Sequence, residues 1–145
     1  KLTKQVIQCA ARYNQLEYLI YTIEINSNLW LNEVCSGAAR YGSVQCLQYA
    51  HENGCPWDIN TCSEAAAGGH LSCLQYAHEH HCPWDINTCK NACLHGHLEC
   101  LQYAHEHGCR WNYQCTTAAI QYNHKECIEY LRIHNCPIYT SEIED

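Results

Sequence analysis

Hydrophobic side chains along this chain fall three and four residues apart, set among polar positions and punctuated by glycine, asparagine and proline. Leu71, Leu74 and Ala77, with Cys73 and Tyr76, form a single apolar stripe, the spacing of a helix that buries one side. A shorter helix precedes it. Thr61 with Glu64 fits a capping box, so the first helix is expected to begin near Thr61, run through Ala65, Ala66 and Ala67, and stop at Gly69. The second helix is expected to end near His81. Pro83 follows, where a proline can no longer continue a helix. A connection of a few residues obliges the two helices to lie antiparallel.

The pattern returns every 27 residues: Cys46, Cys73, Cys100 and Cys127 keep the step, as do Tyr49, Tyr76, Tyr103 and Tyr130, and Trp30, Trp57, Trp84 and Trp111. First-helix stops read Asn14, Gly42, Gly69, Gly96 and Asn123, the residue types that best tolerate a left-handed backbone. Second-helix ends fall at Gly54, His81, Gly108 and Asn135. A constant period predicts an all-α solenoid of about five stacked helix-turn-helix repeats in one domain. Residues 1–33 read as a degenerate N-terminal repeat, 34–60, 61–87 and 88–114 as central repeats, and 115–145 as a degenerate C-terminal cap. Ala10-Ala11-Arg12-Tyr13 echoes Ala38-Ala39-Arg40-Tyr41 one residue out of step, so the first linker carries an extra residue. At the other end Lys125 stands where Leu71 and Leu98 stand, Ile138 replaces the tryptophan, and Ser141 to Asp145 form a polar tail.

Ala65-Ala66, then Gly69-His70-Leu71, then an apolar second helix resemble the ankyrin repeat. Asp58-Ile59-Asn60 and Asp85-Ile86-Asn87 resemble that family's Asp-Val-Asn turn. Gly-Cys-Pro-Trp-Asp after Ala-His-Glu is similar to the shortened ankyrin-like repeats of large DNA viruses of amoebae and of some protists. The unit is shorter than the usual ~33 residues, and Gly54 to Thr61 leaves no room for a projecting β-hairpin. The resemblance therefore implies an ankyrin-like solenoid with its β-hairpin fingers lost and first helices along the concave side. It also implies a noncatalytic role in binding another protein, and it puts Cys62, Cys73 and Cys82 where the family places leucine, valine and alanine.

Composition narrows the function. With 47% hydrophobic residues the chain can bury a continuous core, while a net charge of −7 and only 8 Lys and Arg argue against a sequence-independent grip on nucleic acid or an anionic membrane. No apolar run approaches the ~20 residues that span a bilayer, and the start at Lys1 shows no signal-peptide core. Methionine is absent, so the chain is expected to be processed or part of something longer. The 14 cysteines are periodic and never form Cys-x-x-Cys, a pattern that fits an intracellular, reducing compartment better than a disulfide scaffold.

Cysteine with histidine raises zinc binding, and His78, His80, His81 and Cys82 form the densest candidate group. Buried cysteine acting as a small hydrophobe is the reading preferred here, with no metal and no cofactor. His51, His78 and His105 form one ladder, and His80, His107 and His134 another, on solvated or half-buried positions; adding all 11 histidine charges to −7 gives +4, so association should change below roughly pH 6.5. The tryptophans are expected to tuck under the next helix pair, each indole N–H finding a carbonyl. Glycine-rich phosphate loops, paired acidic motifs and nucleophile elbows are missing, which speaks against an enzyme.

Comparing the repeats with one another points to a surface. Second helices barely change: Gln48, Gln75 and Gln102 are identical, as are Glu52, Glu79 and Glu106. First helices differ, and the varying positions nominate Arg40, Tyr41, Glu64, Lys90, Asn91, Leu94, His95, Gln121 and Tyr122 as partner-binding residues. The expected function is protein–protein interaction along the first-helix face. A structural subunit of a particle or filament, built by self-association, is the alternative, and a zinc-dependent binder a third.

Overall fold

The computed structural model describes residues 2–26 and 31–139. It contains five helix pairs: α1 (Leu2–Arg12) with α2 (Leu16–Ile25), α3 (Asn32–Arg40) with α4 (Val44–Glu52), α5 (Ile59–Gly68) with α6 (Leu71–Glu79), α7 (Ile86–His95) with α8 (Leu98–Glu106), and α9 (Tyr113–Gln121) with α10 (Lys125–Ile133). Among the described residues there is no strand, so the described linkers carry no fingers. Trp30, the extra residue of the first linker and the tail from Ser141 to Asp145 lie outside the described residues.

The first helices begin earlier than a capping box at Thr61 would have them. Asp58 is the cap: its Oδ1 accepts the Asn60 N–H at 2.9 Å, Asp85 does the same for Asn87 at 2.9 Å, and Asn112 for Gln114 at 2.8 Å. Thr61 therefore sits inside α5, fully buried against its neighbour, and its hydroxyl has no hydrogen-bond partner among the described residues. Thr88 repeats this on α7. Burial of Thr61 and Cys62 explains the shift: Thr61 faces the neighbouring repeat, while the start of the helix at Ile59 and Asn60 is exposed, where the Asp58 cap can reach it.

The stops fall as the glycine and asparagine pattern predicts. Gly69 has φ +74°, and His70 N–H closes the turn on Ala65 O at 3.0 Å. Only glycine fits there, because a Cβ would also come within 2.5 Å of the His97 ring of the next repeat. Asn14, Asn123, Asn135 and His81 take the same left-handed conformation, with φ of 52°, 55°, 55° and 63°.

Small side chains let the first helices approach one another. Ala38, Ala39, Ala65, Ala66, Ala92 and Cys93 are buried between α3, α5, α7 and α9, and these helices pack much more closely than the second helices do. Behind them Leu47, Leu74, Leu101 and Leu131 are buried, each worth roughly 1.5–3 kcal/mol of transfer free energy. Linker thiols close the second to fifth repeats, each on its own beginning. Cys55 donates to Leu31 O at 3.5 Å, Cys82 to Asp58 O at 3.3 Å, Cys109 to Asp85 O at 3.2 Å and Cys136 to Asn112 O at 3.4 Å.

Caps and orphaned hydroxyls should respond oppositely to mutation. Asp85→Ala is expected to cost about 1 kcal/mol by leaving the Asn87 N–H without its acceptor. Thr88→Val removes a buried, unpartnered hydroxyl at nearly constant volume and should be neutral or stabilising by up to about 1 kcal/mol. Urea unfolding of the two variants beside the parent chain measures both.

Candidate functional site

The C-terminal ends of the first helices form a row. Tyr13, Tyr41, Gly68, His95 and Tyr122 occupy one register, and the three tyrosines are 63%, 47% and 54% exposed. One position earlier stand Arg12, Arg40, Ala67, Leu94 and Gln121. The Arg12 guanidinium lies over the Tyr41 ring at 4.4 Å and over Tyr13 at 5.4 Å, while Arg40 donates to Glu64 of α5 at 3.1 Å. Arg40, Tyr41 and Glu64 thus border one trough of about 420 Å³. Further along, Asn91 donates to Ser63 O at 3.4 Å, Lys90 is half-buried, and His95 is exposed with its ring 6.4 Å from that of His97. Leu94 packs against the core, and its carbonyl takes the His124 Nε2 N–H at 3.1 Å. Gln121 lies apart, in a trough of about 460 Å³ with Ile120 and Tyr139. The nominated residues form a row rather than one pocket. Arg12 and Tyr13 belong to it, and the echo of Ala10-Ala11-Arg12-Tyr13 in α3 was the signal that could have added them.

The zinc candidates do not converge. His78 stacks on Trp84 at 4.0 Å, and the Tyr103 hydroxyl hydrogen-bonds its Nδ1 at 3.0 Å. His80 Nδ1–H donates to Tyr76 O at 2.8 Å, His81 forms the left-handed helix stop, and Cys82 is buried on Asp58 O. Among the described residues no group of three or more His, Cys, Asp and Glu could hold a metal ion.

The tryptophan linkers build a seam along the second helices. His51 stacks on Trp57 at 3.7 Å and His105 on Trp111 at 3.7 Å, repeating the His78–Trp84 pair. Each pair reaches the following repeat: the His105 Nδ1 meets the Tyr130 hydroxyl at 2.9 Å, and the His78 and His107 rings lie 5.3 Å apart, edge to face. Trp57, Trp84 and Trp111 are half-buried, as the tucked reading has it, but their partner is a histidine ring rather than a carbonyl.

Residues 89–132 match the family model for ankyrin repeats in many copies. In three dimensions the chain is similar to the ankyrin repeat domain of human ASB11, with a TM-score of 0.75 and 19% identity over 90% of this chain and 69% of that one. The fold is that of an ankyrin-repeat solenoid. No curated protein sequence matches the chain.

In this ankyrin-repeat solenoid the cysteines are packing groups. Cys46, Cys73, Cys100 and Cys127 are buried, and burial pushes their thiols up to about 11, 11, 12 and 11. A second set on the same 27-residue step has a pairing the sequence does not show. Cys62 donates to the Cys82 carbonyl at 4.0 Å, and the neighbouring thiol of Cys55, Cys82 or Cys109, together with burial, holds Cys35, Cys62 and Cys89 above the usual thiol range. Only Cys9 is exposed among the 14. An aromatic disulfide reagent should therefore label one thiol per native chain quickly and the remainder only on unfolding. Rapid labelling of several would contradict the packing role.

The seam carries a pH dependence. Burial first, then His107, hold the His78 imidazole below its ordinary value; burial with His80 does so for His51, and burial with His134 for His105. The unfolded chain then binds more protons than the native one below the ordinary histidine pKa of ~6.5, so stability falls as pH drops from there through the lowered native values. The melting temperature should decrease between about pH 7 and pH 5. Replacing His51, His78 and His105 together by Gln should lower it at neutral pH and flatten that slope.

Proposed function

We propose that this solenoid is a noncatalytic interaction module that engages another protein along its first-helix face. The observation that carries the reading is the exposed row of Tyr13, Tyr41 and Tyr122 with Arg12 and Arg40. Tyrosine and arginine dominate interface hot spots because they offer large contact area with a polar handle. The row lies on helices that change from repeat to repeat, whereas the second helices spend their aromatic groups on the seam. Close packing of first helices beside looser second helices favours curvature toward the first-helix side, making it the concave one. The whole chain acts as one module on this reading, and its many free thiols suit a reducing compartment.

Self-assembly is the second reading, favoured by the ends of the stack. Val6 is 41% exposed although its register mates Val34, Thr61 and Thr88 are fully buried, and Ile120, Ile133 and Ile138 are 55%, 59% and 65% exposed at the far end. Such faces suit a head-to-tail contact between copies.

A variant with Arg40, Tyr41, His95 and Tyr122 all changed to Ala should capture its partner about tenfold or more weakly, since each hot-spot truncation costs on the order of 1–2 kcal/mol. Its helicity and melting temperature should stay close to those of the parent. Unchanged capture by the folded variant would move the interface to the second-helix side, and sedimentation that rises with concentration would favour self-assembly.

A further inference from the structure

Gly37 stands in the middle of α3, where neither the backbone nor the packing requires a glycine. It lies outside the left-handed region, and a Cβ built on it meets nothing within 4 Å. Gly68 is the contrast, because a Cβ there would collide with the Arg40 carbonyl. A mid-helix glycine weakens a helix relative to alanine, so the space over Gly37 is kept open at the expense of stability. Its register mates on the next two first helices are Glu64 and Asn91.

The internal register supplies the chemistry of what fits there. Arg40 on α3 pairs with Glu64 on α5 at 3.1 Å. Arg12 is the counterpart of Arg40 on α1, and Gly37 is the counterpart of Glu64 on α3. Arg12 is therefore missing the carboxylate that Arg40 has. Among the described residues it makes no ion pair, and the Tyr41 ring holds its guanidinium from one side at 4.4 Å. A trough of about 300 Å³ bordered by Gln8, Arg12, Gly37 and Tyr41 fills the gap, and it shares Gly37 and Tyr41 with the trough beside Arg40. Glu33 also borders it, but Lys4 meets that carboxylate at 3.4 Å. Lys4, Arg12 and Arg40 thus gather here, on a chain with only 8 Lys and Arg in all.

We infer that this trough receives an aspartate or glutamate side chain of the partner protein, laid over Gly37 and paired with Arg12 as Glu64 is paired with Arg40. The inference rests on the first-helix reading and narrows the partner to one that presents an acidic segment. The planar guanidinium, held by Tyr41, offers a fork to a carboxylate in two parallel hydrogen bonds. Because the site is exposed, salt should weaken the contact.

Random linear peptides displayed on phage, panned on the folded chain and then measured singly by fluorescence polarisation, test this. The enriched sequences should share an Asp or Glu. Their affinity should fall about tenfold with Arg12→Gln, less with Arg12→Lys, and again about tenfold with Gly37→Glu, whose own carboxylate fills the trough. Exchanging the peptide acid for its amide should give the same loss, with little more on the Arg12→Gln background. Gly37→Glu should melt at or above the parent temperature, which separates occupation of the site from misfolding. Enrichment of peptides without acids, enrichment of none, or affinity unmoved by both substitutions would overturn the inference. Peptides that lose affinity with Tyr122→Ala but not with Arg12→Gln would leave the first-helix face standing without the carboxylate site. Peptides indifferent to both sets of variants would remove the two readings together.

Discussion

The close approach of each first helix to the next is the constraint from which the other features follow. Ala38, Ala39, Ala65, Ala66 and Ala92 offer almost no side chain to keep the helices apart, and Gly68 lets α5 come onto the Arg40 carbonyl. Such contact is possible only if the backbone turns away at once, which the left-handed residues at Gly42, Gly69 and Gly96 accomplish. The ring of the following His70, His97 or His124 then sits directly on that glycine. The second to fifth repeats are thereby locked each to the next through contacts too tight for a methyl group, and the C-terminal ends of the first helices are left facing outward in a line.

Two rows of helices that approach unequally need different fillers. The second helices stand further apart and carry leucine and tyrosine where the first carry alanine. Trp57, Trp84 and Trp111 close that wider side from the linkers, each stacked on a histidine of the preceding helix, in pairs of the sort worth roughly 0.5–1.5 kcal/mol beyond their burial. A linker with tryptophan covers what a longer linker would otherwise cover. The seam uses the identical residues of the second helices, so variation is left to the first.

Much of this was legible in the sequence because repetition turns local rules into register. The glycine and asparagine stops were readable at every copy, since a left-handed stop needs a particular residue type and nothing else from the fold. The helix starts were not. Thr61 and Asp58 are both good caps by type, and only burial, a property of the neighbouring repeat, excludes Thr61. The thiol contact between Cys62 and Cys82 was hidden for a related reason, because the two positions are 20 residues apart on an unpredicted fold back to the start of the repeat. Variation among first helices located the row of Tyr41, His95 and Tyr122, yet it could not show that Arg40 is already satisfied by Glu64 while Arg12 is not. That distinction depends on which residue the next helix holds opposite, and glycine gives no signal of a space left empty.

The seam is not uniform along its length. Tyr103 and Tyr130 each bring a hydroxyl to the imidazole of the preceding repeat, whereas the Tyr76 hydroxyl is buried with no partner among the described residues. The joint between α4 and α6 thus lacks the hydroxyl–imidazole bond of the two joints that follow it and relies on ring contacts and the shared core around Leu47 and Leu74. Copies of one repeat are therefore not interchangeable along the stack: the same tyrosine is a hydrogen-bonded latch at Tyr103 and Tyr130 and a packing group alone at Tyr76, so an identical substitution made at each copy has a different effect at the third.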